Sequence, residues 1–120
     1  MNICWLTIYV NDMEASLKFY TEIMGMSVLH SFSPKSGMEI YFLNTGSIQL
    51  ELIYDSENKN ITYGKDISVG FETASLTDKI KELKEKGIQS IVGPISPTPT
   101  VSFIYITDPN GLKTQIVEKK

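Results

Sequence analysis

Ile3-Cys4-Trp5-Leu6-Thr7-Ile8-Tyr9-Val10, followed directly by Asn11-Asp12-Met13-Glu14, decides how the chain is read. The first eight residues are mostly β-branched, aromatic or aliphatic, the composition of a strand. The next four bring an Asx cap with a glutamate three positions on, which marks a helix N-terminus. The helix is expected to carry Ala15, Leu17, Phe19, Tyr20 and Ile23 and to stop near Gly25. Working outward, Met26–Phe32, Met38–Leu43 and Ser47–Tyr54 read as three strands. They are separated by Ser33–Gly37 and Asn44–Gly46, both with turn chemistry. The first half is therefore β-α-β-β-β.

After a polar connection, Asp55–Gly64, the order begins again. Lys65–Glu72 is a strand, and Ser75 caps a helix with Leu76, Ile80 and Leu83 inward and Gly87 at its end. Gln89–Val92, Val101–Thr107 and Leu112–Glu118 are three more strands, the last two joined by the turn Asp108-Pro109-Asn110-Gly111. Pro94–Pro99 contains three of the five prolines and reads as an extended loop. Ile3–Val10 maps onto Asp66–Thr73, and Gln49–Ile53 onto Lys113–Val117, an offset of 62–64 positions. The expectation is one domain of two tandem modules, residues 1–61 and 62–120.

Composition narrows the functions. The single cysteine excludes a disulfide within the chain and a cysteine-based zinc site. Alternation makes Cys4 face the helices, a buried thiol rather than a nucleophile. No apolar run reaches the ~20 residues that cross a bilayer, and the N-terminus lacks a basic leader, so the expected setting is cytoplasmic, without a membrane partner. All 11 basic residues are lysine and the net charge is −3. Lys79, Lys81, Lys84 and Lys86 alternate with Asp78, Glu82 and Glu85 on the second helix, a solvated face rather than a nucleic-acid patch.

Two stretches carry a resemblance. Val10-Asn11-Asp12-Met13-Glu14-Ala15-Ser16-Leu17-Lys18-Phe19-Tyr20, with Met24-Gly25, resembles the opening motif of the vicinal oxygen chelate superfamily, which holds glyoxalases, bleomycin resistance proteins and dioxygenases. Thr107-Asp108-Pro109-Asn110-Gly111, with Gln115-Ile116 behind it, is similar to its closing motif. The resemblance implies an α+β fold in which tandem βαβββ modules form one cupped, mostly antiparallel sheet with helices on the outer face. It also implies a homodimer and a ligand in the cup.

Period-two alternation then assigns faces. Leu6, Ile8, Val10, Leu50, Leu52, Tyr54, Ile67, Val69, Phe71, Leu112, Thr114 and Ile116 suit the helix-covered side. Trp5, Thr7, Tyr9, Gln49, Glu51, Ser68, Glu72, Lys113 and Gln115 are left as the candidate ligand-binding set. The resemblance puts the metal ligands of its enzymes at Trp5, Glu51, Ser68 and Gln115. Trp5 has no lone pair to give and Ser68 is a poor ligand, so the expected set holds no metal and no cofactor; a divalent ion would have only Glu51 and Gln115. Glu51 is the one candidate catalytic group, in a site its aromatic and aliphatic neighbours would keep dry. His30, the only histidine, reads as an edge-strand residue with a lesser reading at the cup rim.

The expected function is metal-free binding or sequestration of a small planar molecule, neutral or cationic, since Glu51 and Glu72 face a single lysine, Lys113. The Pro94–Pro99 loop would be its lid. The alternatives are a metal-dependent lyase, isomerase or dioxygenase-like enzyme using Glu51 in a nonstandard shell, and a repeat that only supports an assembly.

Overall fold

A computed structural model describes residues 1–120. Its order is β1 (Trp5–Tyr9), α1 (Met13–Lys18), β2 (Ser27–Phe32), β3 (Met38–Asn44), β4 (Gln49–Asp55), β5 (Ser68–Glu72), α2 (Leu76–Glu85), β6 (Val92–Thr98), β7 (Val101–Thr107) and β8 (Lys113–Lys119). The chain divides into two compact units, Met1–Thr62 and Tyr63–Lys120, each a βαβββ module. Hydrogen bonding gives each unit its own four-stranded mixed sheet, in the orders β1-β4-β3-β2 and β5-β8-β7-β6. Within each, one parallel pair joins two antiparallel pairs.

In the first unit β4 pairs with the edge strand β1 in parallel, with Trp5 opposite Gln49, Thr7 opposite Glu51 and Tyr9 opposite Ile53. Leu50 and Leu52 of β4 and Leu43 of β3 are buried, as are Ile8 and Val10 at the end of β1. Asp12 caps α1 by accepting from the Ala15 amide at 3.2 Å. The cap is thus one residue later than Asn11, and Glu14 stands in the first turn, where a negative charge suits the helix dipole. The expected long α-helix ends at Lys18 and continues as a π-helical turn, Phe19–Ile23. The widened turn buries the neighbouring rings of Phe19 and Tyr20 together, edge to face at 4.9 Å. Gly25 closes it with φ 81°, a conformation open to glycine at little cost.

The second unit repeats the register. Ser68 lies opposite Lys113, Gly70 opposite Gln115 and Glu72 opposite Val117. Ser75 caps α2 through the Asp78 amide at 3.2 Å, and the Glu118 carboxylate of β8 accepts from the Leu76 amide at 2.8 Å, tying the start of α2 to the sheet. The turn before β8 is built on buried Asp108, whose Oδ1 accepts from the Asn110 and Leu112 amides, both at 2.8 Å.

Three further expectations change. The proline-rich stretch is largely strand: Pro94 and Pro97 lie within β6, while Gln89–Ile91 is outside it. β6 is an edge strand with two register shifts, a setting in which missing amide donors are tolerated, and the lid is withdrawn with the loop. Ile67 lies before β5 and is 59 % exposed, so it does not pack under a helix. Cys4 precedes β1 and is exposed rather than buried.

Tyr63 opens the second unit. Burial first, and the Asp108 carboxylate second, push its phenol well above the ordinary tyrosine value. The unfolded chain releases this proton near pH 10 while the folded chain holds it, so stability falls as pH rises past about 10. Urea melts of the parent and Tyr63→Phe between about pH 9 and 11 are expected to show a shallower alkaline loss in the variant. Parallel curves would remove Tyr63 as the cause.

Candidate functional site

The first unit presents a grid of side chains on the sheet face opposite Leu50 and Leu52. Register fixes one row as Thr7, Glu51, Phe42 and His30, and the next as Tyr9, Ile53, Ile40 and Phe32. Ile40, Phe42 and Ile53 are buried and form an apolar floor with Met38 against it. Around the floor, Trp5 is 50 % exposed, Phe32 49 % and Tyr9 38 %. The Trp5 ring meets Phe42 edge-on at 5.6 Å, and the His30 ring stacks on Phe42 at 4.7 Å and 19°.

Glu51 lies in this floor at 9 % exposure. The Thr7 hydroxyl donates to its Oε1 at 2.5 Å. No lysine or histidine nitrogen comes within ion-pair distance of it. A carboxylate largely removed from water, with one neutral donor and no counter-ion, is costly to the fold and ready for a charged or donor group from outside.

The second unit places its candidates differently. The Lys113 ammonium stands 4.5 Å over the Tyr105 ring, and the Gln115 amide nitrogen donates to the Tyr105 hydroxyl at 3.2 Å. Gly70, opposite Gln115, leaves room that a Cβ would begin to fill, since it would lie 3.4 Å from Gln115 Oε1. Ser68 is exposed at the start of β5. Glu72 pairs with Lys119 at 3.6 Å, both largely exposed. Lys119 shares the face of Lys113 on β8 by alternation, so the lining carries two lysines where one was expected.

The structure therefore groups Trp5, Thr7, Tyr9, Gln49 and Glu51 on one sheet, and Ser68, Glu72, Lys113 and Gln115 on the other. Sequence reasoning missed Phe42, Tyr105 and the position of His30. Alternation through Met38–Leu43 and Val101–Thr107 contained the signal for the first two. The third depends on an irregularity in β2, where the register shifts between Val28 and His30.

The donor set does not fit a divalent metal. The Trp5 indole offers only a hydrogen to share, Ser68 brings only a hydroxyl, and nowhere do three His, Cys, Asp or Glu side chains converge. What the first face can do is bind: rings for stacking, an apolar floor, and one unpaired carboxylate. Thr7→Val would strand that carboxylate and is expected to cost about 1–3 kcal/mol in a urea melt. Glu51→Gln keeps an acceptor for Thr7 and removes the charge, so its midpoint should equal or exceed the parent's. A large loss in Glu51→Gln would show the charge itself to be structural.

Residues 2–116 match the Glyoxalase/Bleomycin resistance protein/Dioxygenase superfamily. Lactoylglutathione lyase of Haemophilus influenzae is 26% identical over 129 residues, which cover 100% of this chain and 94% of that enzyme. Among solved structures, an antibiotic binding protein from Streptomyces sp. CB03234 superposes with a TM-score of 0.79 at 19% identity, covering 100% of this chain and 97% of its own. The trypanothione-dependent glyoxalase I of Leishmania major gives 0.78 at 20% identity, covering 98% and 86%. No helix is long and apolar enough to cross a membrane. With both βαβββ modules in the matched region up to the middle of β8, the chain belongs to the glyoxalase, bleomycin resistance protein and dioxygenase superfamily.

Proposed function

We infer that the protein binds a small planar organic molecule, neutral or cationic, on the aromatic face of its first sheet, without a metal and without chemistry. The observation that carries this reading is Glu51: 9 % exposed, bonded only to the Thr7 hydroxyl, and set among Trp5, Phe42 and His30. Flat rings stack on such a face, and a cationic ring gains from both the aromatic quadrupoles and the carboxylate. The antibiotic binding protein of the same fold supports the use of this architecture for holding a small molecule. Glu72 adds little negative charge to the reading, because Lys119 stands beside it.

A second reading is a metal-dependent enzyme of the same superfamily, supported by the full-length likeness to lactoylglutathione lyase and by Glu51 at the position the resemblance gives a ligand. Elemental analysis after dialysis separates the two: a stoichiometric divalent ion retained by the protein would overturn the first. We also propose a homodimer, since β1, β2, β5 and β6 all end their sheets unpaired. Light scattering at tens of micromolar is expected to give about twice the 13.5 kDa chain mass, and a monomer would refute it.

Trp5 is the only tryptophan, so its emission reports the site directly. Titration with N-methylquinolinium, neutral quinoline and an anionic aryl–glutathione conjugate is expected to give saturable quenching by the first two, with the cation tighter. Saturable quenching by the anion alone would sink this reading.

A further inference from the structure

His30 is the one histidine of the chain and lies on an edge strand, yet its ring stacks on Phe42 and joins the first sheet's aromatic face. The cause is local. Ser27 pairs with Asn44 and Val28 with Leu43, and unbroken pairing would put Leu29 opposite Phe42. Instead the register shifts by one residue, and His30 takes that place, with Phe32 opposite Ile40. A one-residue change of register moves a side chain to the other face of a strand, and bulges of this kind re-aim side chains beside binding sites. The ring so delivered is stacked on Phe42, near parallel to Phe32 at 6.4 Å and 11°, and is exposed.

Glu51 stands on the opposite side of Phe42 in the same row. His30 and Glu51 are thus two strand spacings apart, roughly 10 Å between backbones, with a phenyl ring between them. Glu51 accepts hydrogen bonds, while an imidazole also donates one through a ring N–H. We propose that the bulge in β2 makes His30 a specificity-determining contact of the Glu51 site, which selects flat two-ring ligands bearing a donor at the Glu51 end and an acceptor at the His30 end. This rests on the binding reading above and sharpens it from planarity to polarity along the ligand's long axis.

One imidazole and one indole make the test direct, because the ring C–H signals of the one and the N–H signal of the other each come from a single known residue. An aminoquinoline with its amine on the ring remote from the nitrogen carries both groups; a naphthylamine lacks the acceptor. Titrating the aminoquinoline, the Trp5 indole N–H and the His30 ring C–H resonances are expected to move along one saturation curve. His30→Phe keeps a ring on Phe42 and removes the donor. It should weaken aminoquinoline binding about three- to tenfold more than naphthylamine binding, the worth of one hydrogen bond. Movement of Trp5 without His30 would overturn the role of His30 while sparing the binding reading. Equal effects of the variant on both probes would also overturn it. Silence at both resonances would overturn the two readings together.

Discussion

β4 is hydrogen-bonded along both edges, parallel to β1 and antiparallel to β3, and the rest of the first unit follows from that position. A strand enclosed on both sides keeps its backbone groups paired and buries side chains on both faces. Leu50 and Leu52 use one face as helix-side core. The other face has Glu51 and Ile53, so a carboxylate is carried into a crowded, largely dry place by the same ladder that holds the leucines. Thr7 and Phe42 are its neighbours because register leaves no others opposite it.

The second unit shows what the same frame does with other side chains. Thr7, Glu51, Phe42 and His30 correspond in register to Gly70, Gln115, Tyr105 and Val92. There the central residue is a neutral amide, satisfied by the tyrosine hydroxyl beside it, and the aromatic face is already taken by the Lys113 ammonium. The first row has an unmet charge and open rings; the second has internal partners. Along the inner strands, where the pairings of β1, β4 and β3 match those of β5, β8 and β7, the difference lies in side-chain chemistry; the edge strands differ also in register, with one shift in β2 and two in β6.

Most of the architecture was legible in the sequence because it rests on local signals. Strand composition, the caps at Asp12 and Ser75, and the Asp108–Gly111 turn each act within a few residues, and together they gave the repeated element order. The inward and outward faces of β1, β4 and β8 followed from period two. What escaped was set by tertiary context. Pro94 and Pro97 argue against a strand until it is known that β6 lies at an edge. Met13–Ile23 reads as one α-helix until Phe19 and Tyr20 must both be buried. His30 reads as marginal because a bulge has no marker of its own in Ser27–Phe32, yet it changes the face of every residue after it.

Two ladders in matching register, decorated so differently, separate inheritance of shape from inheritance of chemistry. Backbone pairing at Thr7–Glu51 and at Gly70–Gln115 is indifferent to which side chains project from it. One half of a duplicated chain is therefore free to lose or gain a charge, a ring or a ligand while the other half, and the frame of both, stays as it was. Descendants of such a chain can keep one silhouette through many changes of cargo, and resemblance in outline outlives resemblance in trade.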